Sequence, residues 1–301
     1  AIVGLLCALK AAETAEIVQQ WSGWVLEPTN TDQSLYNVNV IGNLGRGMEA
    51  WVVGEFDTIM YSRDDGDTWE MKHSSLLESA IGLDWRDSAF PLHTYPNPDY
   101  RPGFWPVLSD YATGYVVGDY GRIIKTSDWG DTWTQLTSER FNFDYRKDLQ
   151  PHVAILSFRT VWAISEKLVY VAGDQGLILR TENGGETWDA LNVLYTPDIY
   201  KIRFFDNTTG WAVGSRGEML RTTDGGRVWR PRTSGVDVTL RSMKWYQKHA
   251  NTDDPFTVGF VVGDAGTILF TDDAGETWTQ QTPCEGSGIL YDVLCRDNLY
   301  E

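Results

Sequence analysis

The sequence predicts an all-β chain folded as a β-propeller, and three observations carry that expectation. A polar turn ending in tryptophan recurs five times, and each copy follows an apolar run that stops at a glycine-led turn. The five tryptophans stand 41 to 64 residues apart, which leaves room in every unit for four short strands and, in the longer units, for an insertion. The repeat also accounts for a composition of 14 Trp and 29 Gly in 301 residues.

Each unit reads in the same order. The apolar runs are Trp51-Val-Val, Tyr115-Val-Val, Tyr170-Val-Ala, Trp211-Ala-Val and Phe260-Val-Val. Runs of β-branched and aromatic residues closed by Gly are buried strands. A tight turn follows, as in Gly118-Asp119-Tyr-Gly121, Gly173-Asp174-Gln-Gly176 and Gly263-Asp264-Ala-Gly266. Glycine supplies the positive φ of such turns without steric cost. A second apolar strand then runs over 122–126, 177–181 and 267–271. The next turn is built on Asp64 and Gly66, Asp128 and Gly130, Asn183 and Gly185, Asp224 and Gly226, and Asp273 and Gly275. Its acidic side chain caps nearby backbone N–H groups, a role Asn183 can fill but one that a catalytic carboxylate could not share with Asn. Trp69, Trp133, Trp188, Trp229 and Trp278 open the last strand of each unit. The first strand is clearest at Tyr200–Phe205.

Five such blades must be closed into a ring. Trp24–Pro28 reads as a fourth strand without its blade, and Ile289–Leu294 as a first strand without a successor. Paired, they make a sixth blade from both ends of the chain and remove the free sheet edges. Six blades are therefore expected, or seven if residues 76–110 or 139–160 hold an irregular one. Residues 21–301 form this single domain. Ahead of it, Ala1–Leu9 is apolar but too short to span a bilayer, and it lacks the basic start of an export signal. Leu5, Ala8, Ala12, Ala15 and Val18 fall near helical spacing, so residues 1–20 are expected to form a helix that anchors on the body or on a partner.

The charge narrows the function. Lys+Arg total 25 against Asp+Glu 42, a formal net charge of −17. A basic face for nucleic acid or for an anionic membrane surface is therefore not expected. Three cysteines exclude a disulfide scaffold. Cys284 and Cys295 either pair in an oxidising compartment or stay as thiols. His73, His93, His152 and His249 show no ligand spacing, and no Cys-x-x-Cys occurs, so neither a metal nor a cofactor is expected. The glycine turns connect strands and open no helix, which argues against a phosphate cradle.

The Ser/Thr-x-Asp-x-Gly-x-Thr-Trp turn resembles the Asp-box (BNR) repeat in all five units. The longer pattern at 210–229, Gly-Trp-Ala-Val-Gly through Asp-Gly-Gly to Trp229, is similar to the photosystem II stability/assembly factor family. That resemblance implies a non-enzymatic propeller of the thylakoid lumen or periplasm that helps a larger complex assemble. It also implies seven regular blades and a surface arginine patch. Arg122, Arg180, Arg203, Arg216 and Arg221 are present in the repeats, without a residue-by-residue match to that patch. Sialidases carry Asp-box turns too, and their likeness implies an arginine triad and a Tyr nucleophile. The closest segment here, Phe158-Arg-Thr-Val161 with Glu166 and Tyr170 beyond it, lacks the proline and the early position of the sialidase motif.

Loops on a rigid scaffold are where binding resides. Residues 71–110, 138–160 and 242–257 are expected to join the fourth strand of one blade to the first of the next. They would then lie on the face of the Gly-Asp turns. Trp85, Tyr95, Tyr100, Trp105, Phe141 and Tyr145 in these insertions, with Asp119, Asp174 and Asp264 of the turns, are the candidate partner-binding residues. The expected function is a binding scaffold that docks on a protein complex, membrane-associated or not. The alternative is a virion or cell-surface propeller binding protein or glycan.

Overall fold

The computed structural model describes residues 33–43, 47–64, 66–72, 84–91, 113–136, 141–142, 156–191, 197–246, 257–282 and 288–293. They form five antiparallel sheets, each a blade whose strands follow chain order from the inside out. The first blade holds β1 (Leu35–Asn43), β2 (Gly47–Gly54), β3 (Ile59–Ser62) and β4 (Glu70–Met71). The second holds β5 (Trp85–Ala89), β6 (Gly114–Gly118), β7 (Ile123–Thr126) and β8 (Thr134–Leu136). After β9 (Phe141–Asn142), the third holds β10 (Phe158–Ala163), β11 (Val169–Gly173), β12 (Ile178–Thr181) and β13 (Trp188–Leu191). The fourth holds β14 (Ile199–Phe204), β15 (Gly210–Gly214), β16 (Met219–Thr222) and β17 (Arg230–Arg232). The fifth holds β18 (Leu240–Tyr246), β19 (Val258–Gly263), β20 (Ile268–Thr271) and β21 (Thr279–Gln280).

Each of the expected apolar runs is a second strand, and β6, β11, β15 and β19 are buried along their whole length. A strand buried on both faces reads as a continuous apolar run, which is why these elements were plain in the sequence. In the first four blades the aromatic residue opening the run is wedged under the Asp-box turn of the next blade. A Cβ added at Gly130 would sit 2.4 Å from the Trp51 ring, and one at Gly275 would sit 2.4 Å from Trp211. Both glycines also hold positive φ, +77° and +80°. The positions therefore demand glycine for space as well as for conformation. Tyr115 and Tyr170 do the same work with their hydroxyls, donating to the Glu166 carbonyl at 2.8 Å and the Gly225 carbonyl at 3.0 Å.

The Asp-box turns are local networks. Thr126 Oγ1 donates to Asp128 Oδ1 at 2.8 Å and accepts from the Gly130 amide at 2.8 Å, while the Thr132 amide donates to Asp128 at 2.8 Å. The pattern repeats at Asp64, Asp224 and Asp273, and Asn183 reproduces it with its amide oxygen. Donors from Thr68 and Thr132 hold Asp64 and Asp128 below the usual carboxylate range. The Val228 amide lowers Asp224, and against the upward push of burial the Thr277 hydroxyl and amide hold Asp273 down to about 2. Carboxyls depressed in the folded state stabilise it above their unfolded value of about 3.9, and that stabilisation drains away as pH falls toward the folded values. Stability should therefore drop between about pH 4 and pH 2. Asp224→Asn should keep the turn and flatten its share of that drop, whereas Asp224→Ala should cost about 1 kcal/mol at pH 7. Urea unfolding at a series of pH values measures both.

Two expectations are corrected. The described residues contain five blades and not six. Trp24–Pro28 lies outside the described residues, as do the helix expected within 1–20 and all three cysteines. Ile289–Val293 belongs to no strand. The Gly266 amide donates to the Gly288 carbonyl, as Gly121 and Gly217 donate to Leu156 and Val238 just before β10 and β18. Residues 288–293 thus enter where an inner strand would begin, without forming one. The second correction concerns the insertions. Trp85–Ala89 is the inner strand of the second blade, so residues 90–113 connect first strand to second, as 247–257 do in the fifth blade. Both connections leave and return on the Asp-box face, opposite the Gly-Asp turns. Residues 137–157, and the 72–84 part of the first insertion, join fourth strand to first as expected, and 137–157 contributes β9, which pairs in parallel with β13 on the outer rim of the third blade.

Candidate partner-binding face

Every inner strand begins with a β-bulge. The register slips between Leu35 and Asn37, Trp85 and Asp87, Phe158 and Thr160, Ile199 and Lys201, and Leu240 and Ser242. The extra residue in each case is Tyr36, Arg86, Arg159, Tyr200 or Arg241. A bulged residue is released from the ladder and its side chain is re-aimed. Here five bulges place Arg and Tyr around the axis, on the face of the Gly-Asp turns.

The arginines are gripped by those turns. Arg86 reaches both Asp119 oxygens at 3.1 Å and Asp84 at 3.2 Å. Arg159 Nε donates to Asp174 at 2.8 Å, and its Nη2 lies 3.8 Å from Asp198. Arg241 bonds both oxygens of Asp264, through Nε and through Nη2, the latter at 3.2 Å. These Arg–Asp turn pairs are each internal to one blade; Arg86 and Arg241 fork across both carboxylate oxygens, the stronger geometry for Arg and carboxylate, whereas Arg159 brings Nε and Nη2 to the single oxygen Oδ1 of Asp174. Where the turn carries Glu55 or Ser215 in place of Asp, the bulged residue is Tyr36 or Tyr200. Tyr36 donates to Glu55 at 2.9 Å, and burial together with Glu55 and Asp84 pushes its hydroxyl up to about 12. That same bond lowers the Glu55 carboxyl.

Guanidinium groups lie over the tyrosine rings: Arg86 over Tyr36 at 4.5 Å, Arg159 over Tyr200 at 4.8 Å, and Arg241 over Tyr200 and Tyr291 at 5.3 and 5.1 Å. Against these three arginines stand Glu55, Asp84, Asp119, Asp174, Asp198 and Asp264. Among the described residues that surround the bulges, six carboxylates thus stand against three arginines, and these arginines hold carboxylates in place. Its aromatic surface is open: Tyr36 is 41% exposed, Tyr120 56% and Tyr291 62%.

Asp119, Asp174 and Asp264 are therefore brought together as the sequence suggested, though each is held by an arginine that the sequence reading passed over. Trp85 is different. It is 1% exposed and donates through Nε1 to Asp57 at 2.7 Å, so it is a core residue with no surface to offer. Phe141 lies in β9, and Tyr95, Tyr100, Trp105 and Tyr145 lie outside the described residues. Arg122, Arg180, Arg203, Arg216 and Arg221 do not converge. Arg180 and Arg221 sit on third strands, Arg122 and Arg216 at turns, and Arg203 on an inner strand. The missed signal was a recurring triplet in which a large apolar residue precedes Arg or Tyr and then a polar residue, as in Trp85-Arg-Asp, Phe158-Arg-Thr and Leu240-Arg-Ser. Among the described residues no cluster of His, Cys, Asp and Glu could hold a metal, and no helix is long and apolar enough to cross a membrane.

Residues 188–284 match the family described as photosynthesis system II assembly factor YCF48. The chain is a BNR-repeat propeller that resembles these assembly factors. YCF48 from Cyanidioschyzon merolae superposes with a TM-score of 0.53 at 16% identity, covering 84% of this chain and 87% of that one. A second YCF48 structure, bound to a D1 peptide, gives 0.51 at 17%, covering 85% and 84%. An ancestral GH74 enzyme gives 0.54 at 12%, and there the chain spans only 33% of the larger protein. At these identities the likenesses establish the propeller fold. No curated protein sequence matches the chain.

Proposed function

We propose that this YCF48-like propeller is a non-enzymatic docking scaffold that holds an extended segment of a larger protein complex across the Gly-Asp mouth. The observation that carries this reading is the five-bulge ring of Arg and Tyr set in surplus carboxylates. A rigid, partly open ring of aromatic and charged side chains suits a peptide, since aromatic and Arg residues anchor interfaces. The acidic surplus selects a segment carrying Lys or Arg. The D1 peptide bound by one YCF48 structure supports a peptide as the class of ligand. By the same likeness, the protein works outside the cytoplasm, in a periplasm or lumen, during assembly of a membrane complex.

Tagged protein recovered from its native host under gentle conditions should bring down membrane-complex subunits or their precursors. Replacing Asp119, Asp174 and Asp264 together by Asn removes three of these carboxylates. This should weaken the interaction on the order of tenfold, while raising salt weakens the wild-type complex. Undiminished capture by the triple variant would refute docking at this mouth.

A further inference from the structure

The opposite end of the axis has a different chemistry. Below the bulges, the inner strands bring Asn39, Ala89, Trp162, Arg203 and Lys244 to one level, each in register with the aromatic residue of its second strand. This level lies toward the Asp-box face. Among the described residues these five positions hold two cations and no carboxylate. One level above, between these residues and the acidic mouth, Lys201 of the fourth blade reaches across the third to Asp87 of the second at 3.1 Å.

Arg203 lies with its Cζ 4.5 Å over the Trp162 ring. Among the described residues it makes no ion pair or hydrogen bond, and neither does Lys244. Burial pushes the Arg203 guanidinium below its ordinary value even though Asp87 and Asp292 act in the other direction. A cation that is desolvated and not fully compensated is costly to fold around, and a stacked guanidinium keeps its N–H edge free for a planar acceptor.

We propose that the Asp-box end of the axis is a binding site for a small oxyanion, a ligand presenting two oxygens in one plane as a carboxylate or a phosphate does. Arg203 grips the two oxygens through its N–H edge, Trp162 backs the guanidinium, and Lys244 supplies the second positive charge. The site is separate from the peptide-docking mouth and does not depend on it.

The test is calorimetric titration of the full chain with sodium acetate and, separately, with inorganic phosphate, each at constant ionic strength. The Arg203 Nε–Hε NMR resonance is followed in parallel. Saturable binding of at least one oxyanion that shifts this resonance is expected. Acetate alone would assign a carboxylate site, and phosphate alone a phosphate site. Arg203→Gln and Lys244→Gln should each weaken binding on the order of tenfold, about one charge-assisted hydrogen bond. Arg203→Lys keeps the charge but loses the fork, so it too should bind more weakly, and it serves if the Gln variant fails to fold. Binding that leaves the Arg203 resonance unmoved, equal affinity in the variants, or saturation by neither anion overturns the site.

Discussion

Replacing Trp211 by Ala lowers the stability of the chain by about 3–5 kcal/mol, measured as a shift in the urea unfolding midpoint. Trp211 is fully buried at the joint between the fourth and fifth blades. Its ring stacks on Trp245 with centroids 5.5 Å apart and meets Trp278 edge-on at 5.8 Å. The backbone at Gly275 lies so close over the ring that a single Cβ there would collide with it. Truncation leaves a cavity with rigid walls, two of them indoles from the fifth blade and one the Asp-box backbone, so little relaxation can fill it. A loss below about 1 kcal/mol would mean that the blades are not joined through these aromatic wedges. The same reasoning makes Gly275→Ala destabilising, because it forces the wedge out from the other side.

Asp87→Ala is expected to cost about 3–5 kcal/mol for an electrostatic reason. Asp87 is 2% exposed and Lys201 8%, and the carboxylate also accepts the amides of Ser88 at 3.0 Å and Val161 at 3.1 Å. Burial already pushes the Lys201 ammonium down, and Asp87 is the strongest opposing influence. Without Asp87 the lysine is left buried and unpaired. Its pKa then falls further below the unfolded value, so the unfolded chain binds more protons than the native one and stability rises with pH. The variant should therefore regain stability as pH is raised from neutral toward about 10, the unfolded lysine value. Adding Lys201→Met should restore most of the loss at pH 7 and abolish the pH dependence, since an apolar pair replaces a buried ion pair at little cost. Equal destabilisation at pH 7 and pH 10 would show that the lost hydrogen bonds, and not the orphaned charge, account for the effect.

What could be read from the sequence followed burial. Second and third strands are buried on both sides and appear as unbroken apolar runs, and the turns between them are spelled by glycine and aspartate. Inner strands face the axis. Trp85-Arg-Asp-Ser-Ala89 carries two charges in five residues, so it has neither the apolar run nor the alternation that marks a strand, and it reads as loop. Reading it as loop also turns the first-to-second connection after Ala89 into a fourth-to-first one. It hides the bulged Arg and Tyr ring as well, because a bulge breaks the period on which strand reading depends. The aspartates of the turns were legible because they follow glycine at a fixed place. Their arginine partners are 15 to 33 residues away and are joined to them only by the pairing of first strand with second.

The Gly-Asp turns have one more property. The residue between the acid and the second glycine, or its equivalent, holds a positive φ of 51° to 59° in all five blades, yet it is Phe56, Tyr120, Gln175, Arg216 and Ala265 in turn. Backbone bonds across the turn recur whatever this side chain is, and Phe56 and Tyr120 stand well out into solvent. The described blades thus carry five sockets of one shape on a single face, into which side chains of different size and charge have been fitted. Changing the occupant rewrites the chemistry of that face while leaving the frame that presents it untouched.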